Sequence, residues 1–125
     1  MKAFIATSIK HKEEGLKIVK IIKDLSIEYQ CCLTEEGTLE GEKLFEHNYQ
    51  GILNADVFIS ILKDLGKDVS TEIGMAYSLN KIRIGIDYNA DNTDVMPYFA
   101  AGKIVKEDKL QSVLEYCIKN YKDEK

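Results

Sequence analysis

Tryptophan is absent from this chain of 125 residues, proline occurs once and histidine twice, and each scarcity removes a class of explanation. A single proline argues against a Pro-rich linker or a disordered tract. Two histidines, His11 in a lysine-rich segment and His47 within helical spacing, leave a histidine-based triad or a zinc site little to draw on. The three cysteines are no better placed for a metal or a disulfide framework. Cys31 and Cys32 are adjacent in an apolar run and Cys117 stands far downstream, so they read as core thiols. No metal and no cofactor is expected. Apolar runs stop short of the roughly 18 residues a membrane span needs, and Met1 leads directly into an apolar strand pattern without a cleavable leader. The expected setting is therefore the cytoplasm, with no membrane partner. Basic charge is also in short supply, with 17 Lys and Arg against 21 Asp and Glu and a net charge of −4. A pI of about 5.2 disfavours a surface for polymeric nucleic acid and is compatible with one local basic site for a single phosphate.

What the chain does have is 45% hydrophobic and 30% charged residues, the proportions of an ordinary globule long enough to bury a core without staples. Residues 1–125 read as one domain, with no internal repeat and no low-complexity tract. Residues 3–6 are a short apolar strand, and residues 9–26 follow with Leu16, Ile18, Val19, Ile21, Ile22 and Leu25 spaced as a helical stripe. Residues 27–33 read as a second strand, 34–41 (TEEGTLEG) as a loop, and 42–53 as a helix through Leu44, Phe45, Ile52 and Leu53. The uninterrupted apolar run at 57–62 marks a strand covered on both faces. Then come a helix at 69–79, a strand at 82–86, a polar loop at 87–94, a short strand at 103–105 and a closing helix at 108–121. Five β–α units in this order predict an α/β fold. The expectation is a doubly wound, five-stranded parallel sheet with right-handed crossovers and a flavodoxin-like (Rossmann-like) strand order of 2-1-3-4-5.

Such a sheet takes its ligand where the loops after strands one and three meet, at the switch in strand order. The first loop, Thr7-Ser8-Ile9-Lys10, supplies hydroxyls, helix-start N–H groups and an ammonium suited to a phosphate or a sugar hydroxyl. Taken singly, Ser8 is equally a helix cap and Lys10 a solvated charge. The loop at 63–70 leads to Asp68, Ser70 and Glu72. Glu72 is expected in the first turn of its helix, where unpaired N–H groups and the macrodipole favour an ionised carboxylate, the state a nucleophile needs. The same dipole makes glutamate a common first-turn residue without any chemistry, and Asp68 or Ser70 equally serves as an N-cap.

With these residues in view, the chain resembles the nucleoside 2-deoxyribosyltransferase superfamily, which includes the deoxynucleoside 5′-monophosphate N-glycosidases. The resemblance runs from Phe4 to about Val105. Asn54-Ala55-Asp56, an apolar strand, Glu72-Ile73-Gly74-Met75-Ala76 and Asn80-Lys81 are similar to the family's A-D pair, its E-x-G-x-A helix and a following G/N-K. Thr7-Ser8-Ile9-Lys10 is similar to the G-S-I-R phosphate loop of the nucleotide hydrolases, and Leu33-Thr34-Glu35 to their L-T-E. It is the order and spacing of these motifs together, rather than any one of them, that carries the likeness.

The resemblance implies that Glu72 attacks the anomeric carbon of a 2′-deoxynucleoside or its 5′-monophosphate, giving a glycosyl-enzyme that water or a second base resolves. It implies that Lys10 and Ser8 favour a monophosphate over a free nucleoside, and that Gly74 lets the helix pack closely on the sheet. A homodimer or larger homo-oligomer follows too, with Met96-Pro97-Tyr98-Phe99 reaching a partner's pocket. Two positions depart from the family pattern. Asn48 stands where the family carries an aspartate beneath the base, and an amide does not cycle a proton; Gly66 replaces another Asp, with Asp64 and Asp68 on either side as substitutes. Asp56 is read as structural, holding the turn into its strand. An enzyme acting on the N-glycosidic bond and a noncatalytic nucleotide-binding module on the same fold therefore both stand. A flavin module is disfavoured, since the first loop lacks the glycine-containing phosphate loop and no tryptophan is present to stack on the ring.

Overall fold

Strand β3 (Val57–Leu62) shows why the chain folds in three layers: all six of its residues are buried, so neither face meets water. Val57, Ile59 and Ile61 point to one side and Phe58 and Leu62 to the other, and each set seeds its own core. The computed structural model describes residues 1–35, 37, 39–88 and 94–123. The other strands are β1 (Lys2–Ala6), β2 (Glu28–Cys31), β4 (Ile82–Asp87) and β5 (Lys103–Val105). They form one parallel sheet in the order β2-β1-β3-β4-β5, as the alternation predicts. The helices are α1 (Lys12–Asp24), α2 (Gly41–Asn54), α3 (Lys67–Ser78), α4 (Val95–Ala100) and α5 (Glu107–Asp123). None of the described helices is long and apolar enough to cross a membrane.

The first core joins Ile18, Val19 and Ile22 of α1 and Leu110 and Leu114 of α5 to Ala3, Ile5, Val57, Ile59, Ile61, Ile84 and Ile86 of the sheet. The second joins Ile52 of α2 and Val69, Ile73 and Ala76 of α3 to Phe4, Ala6, Phe58 and Leu62. Phe4 and Phe58 stack there with ring centroids 5.8 Å apart. The division follows from handedness. The chain moves one way from β1 to β2 and the other way from β2 to β3, and right-handed crossovers then put α1 and α2 on opposite faces. The reversal opens the sheet's carboxyl edge between β1 and β3.

Several motif residues turn out to hold the frame. The Asp56 carboxylate accepts from the Lys2 backbone N–H at 2.8 Å and from the Tyr121 hydroxyl at 3.1 Å, tying the amino ends of β1 and β3 to α5. Asn80 adopts φ +54 just beyond α3, and the Lys81 N–H returns to the Ala76 carbonyl at 3.0 Å while the Asn80 N–H returns to Tyr77 at 3.0 Å. This is a Schellman closure, which asparagine tolerates better than most residues. The Lys81 ammonium then donates to the carbonyls of Leu53 and Ala55 at 2.6 and 2.9 Å, where α2 ends. Gly102, at φ +87, lies so close to the Arg83 carbonyl that a side chain there would collide with it.

Boundaries differ from the periodicity in instructive places. The first helix does not begin at Ile9. A 3-10 turn at Ile9–His11 precedes α1, because the Ser8 hydroxyl accepts from the Lys10 N–H at 3.2 Å and His11 leaves the helical region. β2 ends at Cys31, and a second 3-10 turn, Cys32–Thr34, replaces the last residues of the expected strand. The loop read over 87–94 falls largely at 89–93, outside the described residues, as do residues 36 and 38 of TEEGTLEG. Helix α4 was not foreseen, since six residues are too few for a periodic signal. Gly74 does not serve close packing either: it is exposed, and nothing lies within 4 Å of where a Cβ would stand.

Candidate functional site

At the carboxyl edge the chain leaves a cleft of about 1380 Å³. Its floor includes Phe4 and Gln30 of the sheet. One wall is α2 through Leu44, His47 and Asn48; the other is the start of α3 through Gly66, Lys67, Asp68, Val69 and Glu72. The rim carries Thr7, Ser8, Ile9 and Lys10 after β1 and Cys32, Thr34 and Glu35 after β2. Seven of the residues singled out from sequence thus share one cavity: Thr7, Ser8, Ile9, Lys10, Asn48, Asp68 and Glu72. Ser70 and Met96 do not line it. The Ser70 N–H closes the first turn of α3 on the Gly66 carbonyl at 3.1 Å, and Met96 stands 81% exposed on α4.

The loop after β1 is held by its own polar groups. Ser8 caps the 3-10 turn, and the Thr7 hydroxyl donates to the Ser8 carbonyl at 3.3 Å. The Cys32 thiol donates to the Thr7 carbonyl at 3.4 Å, joining the two rims of the cleft. Of the proposed stand-ins beside Gly66, Asp68 faces the cleft from the first turn of α3. Asp64 is outside the cleft, in a turn at φ +43, with its carboxylate 4.0 Å from the buried His11 ring.

Glu72 corrects two expectations. It is the sixth residue of α3 and lies in the second turn, beyond the helix-start N–H groups. Its carboxyl is not held ionised. Burial, followed by repulsion from Cys32, Asp68 and Glu35, pushes its pKa up to about 8, which favours the protonated acid at neutral pH. Desolvation and like charge outweigh a dipole whose reach ends within the first turn.

Three polar groups in the cleft were not among the expected site residues, although Glu35 closes the Leu33-Thr34-Glu35 motif. Cys32 is exposed at the rim, unlike its core neighbour Cys31. A hydrogen bond from the Cys31 thiol lowers the pKa of Cys32, and the same bond together with burial raises that of Cys31. His47 and Glu35 form the other unforeseen feature, with Nε2 of His47 3.0 Å from Oε2 of Glu35 across the mouth of the cleft. The Gln30 side chain donates to the His47 carbonyl at 3.5 Å, and it occupies the space a side chain at Gly51 would need. The available signals were the Leu33-Thr34-Glu35 motif, which contains Glu35, and the adjacency of His47 to Asn48. Nothing in the spacing of residues 35 and 47 announces that they meet.

No protein-family profile matches the sequence, and no curated protein matches it. Solved structures do match the fold. A 2-deoxyribosyltransferase from Bacillus psychrosaccharolyticus superposes with a TM-score of 0.72 at 17% identity, covering 89% of this chain and 90% of the other. A conserved protein from Enterococcus faecalis V583 gives 0.69 at 12% identity, with coverage of 90% and 95%. The CMP N-glycosidase BcmB of Clostridium botulinum gives 0.63 at 17% identity, with coverage of 93% and 99%. Near-complete mutual coverage means that this chain has the whole fold of each. At these identities the likeness is one of fold.

Proposed function

We propose that the chain belongs to the nucleoside 2-deoxyribosyltransferase superfamily and cleaves or exchanges the N-glycosidic bond of a 2′-deoxynucleoside 5′-monophosphate, with Glu72 as the nucleophile. The observation behind this is the single cleft at the strand switch that gathers the Thr7–Lys10 loop, Asn48, Asp68 and Glu72. It lies on the fold that a deoxyribosyltransferase and a CMP N-glycosidase also use. Lys10 and the Ser8 hydroxyl receive the phosphate at the rim, and the sugar lies towards Glu72. An ionised Glu72 oxygen bonds to the anomeric carbon as the base departs, and water or a second base then releases the sugar. Since burial raises the pKa of this carboxyl to about 8, only its ionised fraction is reactive at neutral pH.

Assembly belongs to the same proposal. Val95, Met96 and Phe99 on α4 are exposed by 55, 81 and 69%, an apolar cluster suited to a second copy of the chain. A second reading, a noncatalytic nucleotide-binding module, is favoured by Asn48 and by the proton on Glu72.

Base release measured by chromatography over a panel of deoxynucleoside monophosphates separates the two. Turnover lost in Glu72→Gln with ground-state binding retained is the expected result for an enzyme. Wild-type protein that binds a deoxynucleotide and releases no base decides for the module. The monophosphate is expected to bind more tightly than its nucleoside by about 1.5–3 kcal/mol, an advantage that Lys10→Ala removes. Calorimetry giving equal affinities for both ligands counts against the phosphate site.

A further inference from the structure

A nucleobase leaves an uncharged N-glycoside as an anion unless it is protonated, so the proposed reaction needs an acid in the cleft. Asn48 has no proton to give at neutral pH. Glu72 is committed to the anomeric carbon, and Lys10 to the phosphate. The remaining acid-capable groups of the cleft include Asp68, Cys32, Glu35 and His47. Asp68 lies four residues before Glu72 on the same wall of the cleft, beside the nucleophile. The Cys32 thiol donates to the Thr7 carbonyl. His47 and Glu35 are different in kind, because they are already a pair. Nε2 of the imidazole lies 3.0 Å from the Glu35 carboxylate at the solvent-exposed mouth of the cleft, and the His47 carbonyl receives the Gln30 amide. With Nε2 engaged by Glu35, Nδ1 is the ring nitrogen left to exchange a proton with a ligand.

We propose that His47, oriented by Glu35, is the acid that protonates the departing base, in place of the aspartate that Asn48 replaces. This rests on the glycosidic reading above. As a Glu72 oxygen bonds to the anomeric carbon, the carbon–nitrogen bond breaks and its electron pair goes to the base. The proton on Nδ1 of the imidazolium passes to the base, leaving a neutral ring whose Nε2–H stays on Glu35. In the second step the neutral Nδ1 takes a proton from the water that displaces Glu72, which restores the imidazolium. Glu35 is a positioning residue: by accepting from Nε2–H it orients the ring and leaves Nδ1 to the ligand, without touching the base.

Leaving-group dependence is the test, using wild type, His47→Gln and Glu35→Gln with two substrates that share the deoxyribose 5-phosphate. One carries a natural base. The other carries nicotinamide, a pyridinium that departs neutral and needs no proton. His47→Gln is expected to lose roughly 10²- to 10⁴-fold in kcat/KM on the natural substrate and less than about 10-fold on the pyridinium, with Glu35→Gln showing a smaller loss of the same selectivity. The pyridinium rate doubles as the check that each variant is folded. Equal losses on both substrates indicate a merely structural pair and overturn the proposal, as does a His47→Gln variant unimpaired on either. Wild type that releases neither base overturns the glycosidic reading itself, a result distinct from an active wild type indifferent to His47.

Discussion

Glu72 is the residue on which chemistry and stability meet. Its pKa of about 8 against an ordinary 4.5 means that the folded protein holds this proton more tightly than the unfolded chain. The resulting stabilisation is complete below pH 4.5 and is lost as pH rises to about 8. Glu72→Gln cannot ionise, so it should match wild type near pH 4.5 and exceed it at pH 8–9 by roughly 2–5 kcal/mol, read from urea denaturation at each pH. A wild type that stays equally stable across that interval contradicts the buried proton. On the proposed mechanism catalysis runs the opposite way, because the proposed nucleophile is the carboxylate. Base release limited by Glu72 ionisation should climb about tenfold per pH unit below pH 8 and level off above it, as a pH profile of kcat/KM on the pyridinium substrate would show. The position of Glu72 was legible from the residues after β3. Its protonation was not, because that depends on how much of the cleft is dry and on Cys32, Asp68 and Glu35, charges contributed by other turns of the chain.

At the scale of elements, helix α3 illustrates how a catalytic-looking motif is also a frame. Ile73, immediately after Glu72, is fully buried against the sheet and aims that turn of the helix at the cleft. Ile73→Ala should cost about 2–5 kcal/mol of unfolding free energy, and more activity than its stability loss alone explains, since it loosens the turn that carries Glu72. The helix ends in the Asn80 closure, and Lys81 then secures the end of α2, the helix bearing His47 and Asn48. Lys81→Met removes both bonds to the Leu53 and Ala55 carbonyls and should cost about 1.5–3 kcal/mol in chemical denaturation. These elements were legible because each presents at least three turns or one strand of consistent period. The 3-10 turns and α4 were not, because their geometry is set by single hydrogen bonds and by docking.

For the whole molecule, the exposed apolar cluster on α4 bears on assembly. Phe99→Glu is expected to lower the sedimentation coefficient of a self-associating wild type towards that of the monomer; a monomeric wild type refutes the proposed assembly. The architecture itself followed from sequence alone. Alternating β and α periods, a strand apolar on both faces and the handedness of crossovers leave few topologies, and the sheet order β2-β1-β3-β4-β5 is the one expected. The same reasoning located the carboxyl edge and the loops that border it, and Thr7 to Lys10, Asn48, Asp68 and Glu72 all line the cleft there. Tertiary structure alone decided what those residues experience. Periodicity describes neighbours three or four positions apart, whereas burial of Glu72, exposure of Cys32 and the meeting of Glu35 with His47 arise where separate turns converge on one cavity. Solvent exclusion and charge in that space are sums over the whole fold, so no local stretch of sequence contains them.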